Sequence, residues 1–99
     1  MSKYSNAGFL EKATIVEGDV IHNKNAHSYD VLATRTFWSG MQDFLLRDKQ
    51  TNTIVIAENW MPDKKGDAHY GTWQSATYYD VLPVSRIQDL KDYFIYSRG

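Results

Sequence analysis

Three histidines are the residues of this 99-residue chain best suited to bind a metal ion or to transfer protons. His22 and His27 lie five residues apart in a polar stretch, and His69 follows much later, close to Asp67 and Tyr70. Zinc takes three or four imidazole, thiolate or carboxylate ligands at characteristic spacings. A set of His22, His27 and Asp67 has no such spacing, and the chain has no cysteine. We therefore expect exposed loop histidines and no bound metal.

The same part of the sequence contains a possible proton-transfer group. His69 with Asp67 and Tyr70 is a set of residue types that general acid–base catalysis uses. Nucleophilic catalysis would also need a nucleophile beside a base that a third group orients. The chain has no thiol and no nucleophile-elbow motif, and its six glycines are scattered where a phosphate-binding loop clusters them. The sequence therefore favours a protein that is not an enzyme and has no cofactor, and a small enzyme or ligand-binding barrel that uses His69 is the third hypothesis.

Residues 60–79 combine aromatic rings with turn-forming residues. The segment holds five large aromatics among one proline, two glycines and small polar residues, and its first half fits neither a helical nor a strand period. Aromatic side chains offer a large apolar area to a partner, and loops on a rigid scaffold often carry function. Interface cores are also enriched in Tyr, Trp, Met and Arg. We therefore expect a partner-binding loop, with the candidate contact residues Lys64, Lys65, His69, Tyr70 and Trp73.

The preferred hypothesis is a small non-catalytic module that binds another protein. It would act as an accessory regulator or inhibitor of the phage or mobile-element type, which blocks a host enzyme or defence complex by steric docking. The second hypothesis is a domain that binds single-stranded nucleic acid by stacking aromatic rings on unpaired bases. Its stacking rings would be Trp38, Trp60, Tyr70, Trp73 and Tyr78, with Lys64, Lys65 and Arg35 near the phosphates.

Charge and composition limit these alternatives. Eleven basic and twelve acidic residues give a net charge of −1, which disfavours nucleic acid because phosphate contacts supply much of that affinity. The hydrophobic share of 42% is ordinary for a folded protein. We expect one domain over residues 1–99, with residues 1–8 loosely ordered. The chain has no leading apolar segment and no membrane-spanning run, which predicts a cytoplasmic protein without a membrane partner, either monomer or homodimer.

Apolar runs predict a series of β-strands. Residues 29–38 alternate between two faces, with Tyr29, Val31 and Arg35 on the same one. Residues 54–57 are apolar throughout, which is typical of a strand buried on both faces, and Trp60 is expected to continue it and pack inward. Residues 48–52 predict a hairpin turn. The predicted strands are residues 13–21, 29–38, 43–47, 53–58 and 76–82.

A helix is predicted over residues 85–97. Ser85 and Gln88 match a capping box, and Ile87, Leu90 and Phe94 form an apolar stripe. Consecutive strands most simply pair as antiparallel neighbours. The exposed face of such a sheet must be covered, by curling into a small barrel or by the helix. The sequence therefore predicts an α+β fold with a small antiparallel sheet of four to six strands and one C-terminal helix.

Overall fold

The computed structural model describes residues 15–63 and 67–97 of the chain. The described elements are β1 (Val20–Asn23), β2 (Ser28–Thr36), β3 (Gln42–Asp48), β4 (Ile54–Pro62), β5 (Tyr70–Tyr79) and α1 (Val84–Ser97). The strands form a closed barrel in chain order, and α1 packs against its outside. The predicted α+β class is therefore confirmed. The prediction for residues 1–8 lies outside the described part of the chain.

The barrel closes through one parallel strand pair. Consecutive strands run antiparallel, so in a five-strand meander the first and last strands run in the same direction. Closure of β1 on β5 is therefore parallel, and it rests on the register pairs His22↔Tyr70 and Asn23↔Gly71. We call this short contact the seam. The predicted antiparallel pairing holds for the consecutive strands, and the parallel seam was not predicted.

Two apolar clusters stabilise the fold, one on each face of the barrel wall. The outer cluster joins the wall to α1 through Phe94, which is fully buried, with Ile87 and Leu90 beside it, so the predicted helical stripe is confirmed. Burial of apolar surface is the main driving force for both clusters. The inner cluster consists of Ile15, Ile21, Tyr29, Val31, Phe44, Leu46, Val55, Ala57 and Trp60.

A bulge in β2 changes which side chains face the helix. Leu32 has no register partner on β3, whereas Val31 and Ala33 on either side of it do. An extra residue of this kind shifts the alternation of the strand. Val31 therefore belongs to the inner cluster, while Ala33 packs with α1 and Arg35 reaches the helix backbone. The prediction that residues 29–38 alternate without interruption is wrong beyond Val31.

A left-handed residue in β4 has a similar effect. Asn59 has a φ of 61°, and its backbone N–H donates to Asp43 Oδ1 at 2.9 Å. After this break in the strand alternation Trp60 points into the barrel and is 3% exposed. Its Nε1–H donates to the Ala68 carbonyl at 2.9 Å. The predicted inward packing of Trp60 is therefore confirmed.

Several predicted boundaries differ from the structure. Residues 15–19 form a turn before β1, closed by Val16 and Asp19 through mutual hydrogen bonds, where a strand was predicted; residues 13 and 14 lie outside the described ranges. β5 begins at Tyr70, six residues before the predicted strand. The capping box is wrong, because Ser85 lies inside α1 and the Pro83 carbonyl accepts the N–H groups of the first turn. Within residues 15–63 and 67–97, no helix has the length and apolarity needed to cross a membrane.

Candidate functional site

The connections of the barrel divide it into two ends. β2 and β4 both run antiparallel to β3, so they finish at the same end, where residues 37–41 and 63–69 connect them to the next strands. We call this the loop end. The short turns over residues 24–27 and 49–53 connect the other ends of the strands, which we call the hairpin end; the seam also brings Lys24 of the first turn beside Gly71 near the start of β5. Loops that share one end of a rigid scaffold are a common location for binding sites.

The predicted contact residues separate into three groups. His69 and Tyr70 lie at the loop end, where Tyr70 is half exposed. Trp73 is partly buried on β5 and packs against the inner cluster, with its ring 5.2 Å from Tyr29 in an edge-on arrangement. Lys64 and Lys65 fall outside the described residues. The structure therefore brings His69 and Tyr70 together and gives Trp73 a contact with the core.

His69 lies between two carboxylates. Its Nε2 is 3.2 Å from Asp19 Oδ2, and its Nδ1 is 3.4 Å from Asp67 Oδ1. The hydrogen bond from the Val16 N–H, aided by His69, holds the pKa of Asp19 below its usual value. Because both ring nitrogens face acceptors, His69 connects the turn before β1 to the loop before β5. Within residues 15–63 and 67–97, no group of three or more His, Asp or Glu side chains is arranged so that it could hold a metal ion.

His22 and Tyr70 stack across the seam. Their ring centroids are 4.4 Å apart and the ring planes differ by 20°. His22 Nδ1 also lies 2.9 Å from the Ser28 hydroxyl, which is its register partner across the β1–β2 pair. A hydroxyl beside an imidazole resembles a nucleophile with its base, but catalysis would need a further group to orient the ring. Across the described chain no carboxylate contact to His22 is found, so the pair serves as a cross-strand contact.

Trp38 is the most exposed large apolar side chain among the described residues. Its exposed fraction is 90%, and it lies in the turn between β2 and β3 at the loop end. Backbone hydrogen bonds from the Phe37 N–H to the Met41 carbonyl and from the Gly40 N–H to the Phe37 carbonyl hold the turn. The sequence signal was the pair Ser39-Gly40 directly after an aromatic residue, which predicts a turn. The alternation of residues 29–38 nevertheless predicts a strand that includes Trp38, and the sequence offers its ring only as a base-stacking group.

Arg35 makes all its hydrogen bonds to other groups of the chain, which leaves none for a ligand. Its guanidinium donates to Asp43 Oδ2 from both Nε and Nη2, at 3.1 and 2.8 Å, and to Glu58 at 3.3 Å. Its Nη1 donates to the Phe94 carbonyl at 2.9 Å and to the Ser97 hydroxyl at 2.6 Å. These contacts use all the N–H groups of a guanidinium. Arg35 therefore fixes the end of α1, and its assignment to nucleic-acid phosphates is wrong.

At the hairpin end, His27 connects the two turns. Its Nδ1 lies 2.7 Å from Asp48 Oδ2, and Asp48 Oδ1 accepts the backbone N–H of Gln50 at 2.8 Å. Burial would raise the pKa of the Asp48 carboxyl, but the hydrogen bonds from His27 and from the Gln50 N–H outweigh it and lower that pKa. The cross-turn pair is thus a stabilising contact of the ionised carboxylate.

The rings proposed for base stacking do not share one surface. Trp60 is buried, Trp73 packs on the inner cluster, and Trp38 and Tyr78 lie at opposite ends of the barrel. Of the cations named for phosphates, Arg35 is buried and fully engaged. A single strand bound along the sheet would therefore meet no continuous row of rings among the described residues.

A cleft of about 400 Å³ lies between α1, β2 and the turn before β1. Its charged groups are paired with one another: Lys91 lies 3.1 Å from Glu17, and Arg47 lies 3.6 Å from Asp30. These pairs are partly exposed and neutral in sum. The cleft therefore presents no unbalanced charge that would select a ligand.

No protein-family model matches the chain, and no curated protein or solved structure is significantly similar to it.

Proposed function

We propose that the chain is a small non-catalytic protein-binding module that docks on its partner with the loop end of the barrel. The observation that carries the proposal is Trp38, 90% exposed on a turn that three hydrogen bonds hold in place. A tryptophan side chain has only two torsions, so it loses little side-chain entropy when a partner covers it, and Trp is among the residues that dominate binding energy.

Other exposed residues at the loop end extend the surface. Met41 belongs to the same turn, and Met61 and Tyr70 flank the connection between β4 and β5 at that end. Tyr and Met are enriched in the centres of interfaces. The stacking of Tyr70 on His22 holds its ring in place before a partner arrives. Rigid anchors reduce the entropy lost on association.

The proposed mechanism is steric. The loop end would cover a functional surface of an enzyme or defence complex of the host, in the manner of a phage or mobile-element inhibitor, and no chemical step at His69 is required. Among the predicted contact residues, Tyr70 and His69 would take part directly. Lys64 and Lys65 remain predicted rim contacts, and Trp73 would contribute by supporting the fold.

Affinity capture with matched variants tests the proposal. Trp38→Ala combined with Tyr70→Ala should abolish capture of the partner from host lysate and leave the melting temperature within a few degrees of wild type. Tyr96→Ala removes an aromatic that is 79% exposed on α1, so it is the control and should capture normally. The captured protein is then purified, and its binding is measured directly by calorimetry with the same three proteins.

Fluorescence gives an independent readout. Trp38 is the exposed one of the three tryptophans, so covering it should shift the emission to shorter wavelength, and Trp38→Phe should remove that shift. Capture that is unaffected by the double variant would contradict the proposed surface. Captured material that disappears after nuclease treatment would favour nucleic acid as the partner.

A further inference from the structure

Among the residues that the structure describes, β1 covers only a short part of the outer edge of β5. β1 covers it at Tyr70 and Gly71, the two seam positions. Residues 72–79 pair with β4 on their other side, and no described strand lies against their outer edge. An open edge of this kind presents backbone N–H and C=O groups that a further strand can pair with.

The side chains of this edge do not protect it from pairing. Residues 72–79 read Thr-Trp-Gln-Ser-Ala-Thr-Tyr-Tyr and contain no charge, no proline and no glycine. Native edge strands are commonly protected by lysine, proline or a bulge. An uncharged segment that has high strand propensity and contains neither proline nor glycine favours pairing with a further strand. Gln74, Ser75, Thr77 and Tyr78 are exposed, so half of the residues of this segment are open to solvent.

We propose that this edge pairs with the same edge of a second copy of the chain, antiparallel and about a two-fold axis. A two-fold interface places one surface against its own copy. Because residues 72–79 are uncharged, no like charges meet in this arrangement. In most other pairs of identical strands, like charges would meet and would disfavour the pairing.

Aromatic contacts also favour the second copy. With the axis at the middle of residues 72–79, Trp73 of one copy lies opposite residues 77–79 of the other. Tyr78, which is 63% exposed in the single chain, thereby gains an aromatic neighbour across the strands. Such cross-strand aromatic pairs stabilise sheets.

The size of the edge sets the expected strength. A strand of this length extends about 27 Å, at roughly 3.4 Å per residue. One added strand pair covers less area than the approximately 1,200 Å² of a standard stable interface. We therefore expect a dimer that dissociates on dilution.

Sedimentation velocity over concentrations from about 1 μM to about 1 mM tests the proposal. The wild-type mass should rise with concentration from 11.4 kDa toward twice that value. Ser75 lies near the proposed axis and has only a 3.4 Å hydrogen bond to Glu58 to lose. Ser75→Lys and Ser75→Glu should therefore each remain folded and monomeric, because pairing would place the like charges of the two copies close together. Gln88→Lys on α1 is the charge-matched control and should dimerise like wild type.

An equimolar mixture of Ser75→Lys with Ser75→Glu should recover the dimer, because the opposite charges then meet. A wild-type chain that stays monomeric over the whole range would overturn the proposal, and so would a dimer that persists in both Ser75 variants. Trp38→Ala should leave the dimer intact. Failure of edge pairing is thus distinguishable from failure of the loop-end surface.

Discussion

Replacing Asp43 by asparagine should destabilise the protein much more than removal of a surface ion pair. Asp43 Oδ2 accepts two guanidinium hydrogen bonds from Arg35, and its Oδ1 accepts the Asn59 backbone N–H. Asparagine has one oxygen and one NH₂ group, so it must direct a donor at either the guanidinium or the Asn59 N–H. Its orientation cannot satisfy both partners.

The burial of the pair sets the magnitude. The side chain of Asp43 is fully buried and that of Arg35 is 8% exposed. Exposed ion pairs contribute about 0–1 kcal/mol, whereas removal of one member of a buried pair costs about 3–5 kcal/mol. Glu58 still lies 3.3 Å from Arg35 and compensates part of its charge. We therefore expect a loss near the lower limit, about 3 kcal/mol, and a fall in melting temperature of roughly 12–24 °C for a domain of this size.

Urea unfolding followed by tryptophan fluorescence measures this loss as a shift of the midpoint at constant slope. Lys49→Met is the control, because it removes the pair with Asp30 at 3.4 Å in which the lysine side chain is half exposed. Its cost should stay below about 1 kcal/mol. The double variant Arg35→Met with Asp43→Leu should lose less than the sum of its two single changes. If Asp43→Asn costs no more than Lys49→Met, the buried pair does not stabilise α1 on the barrel as we infer.

Three further predictions test the packing and the charge contacts. A Cβ at Gly71 would overlap the Met61 carbonyl oxygen and lie 2.9 Å from Pro62 Cα, so Gly71→Ala should cost about 3 kcal/mol in urea unfolding, and a cost under about 1 kcal/mol would contradict the close strand approach. Trp73→Ala should cost about 2 kcal/mol because the ring packs on the inner cluster, while Trp38→Ala should change stability by less than about 0.5 kcal/mol; equal effects would mean that the two rings have been assigned to the wrong environments. The lowered pKa of Asp48 means that its ionised form is favoured by folding, so its contribution is present above about pH 4 and is lost as the pH falls through the folded-state value. Asp48→Asn should therefore flatten the decline in melting temperature below that pH, and an unchanged acid profile would exclude this residue as its source.

Much of the fold was predictable from local patterns. The hairpin around residues 48–52, the doubly buried strand at residues 54–57 and the apolar stripe of α1 were all identified from periodicity. Periodicity failed where one residue changes the strand geometry. Leu32 and Asn59 each shift which side chains face inward, and both residues occur in ordinary strands as well as in such breaks. The parallel seam depends on barrel closure, which no local pattern reveals.

The candidate site was less predictable than the fold. Aromatic and turn-forming residues correctly drew attention to the connection between β4 and β5, but that composition does not distinguish Tyr70, which is exposed, from Trp73, which contacts the core. Trp38 and Arg35 occupy the same predicted strand. The strand ends at Thr36, so Arg35 lies buried within it and Trp38 lies exposed in the turn that follows. Burial of a polar side chain depends on distant partners, here Asp43 and the last turn of α1.

The seam also has a consequence for the order in which the molecule assembles. Among the described strands, every other pairing joins neighbours along the chain, whereas the seam joins residues separated by about half of it. Contacts between distant residues carry a larger loop-closure entropy and tend to form late. With so few backbone pairs, the seam should also open at a lower free-energy cost than the longer strand pairs of the barrel. Amide hydrogen exchange should therefore be faster at His22 and Lys24, whose N–H groups bond across the seam, than in the centre of β3. The barrel can then open at the seam while the antiparallel pairs of the consecutive strands stay intact.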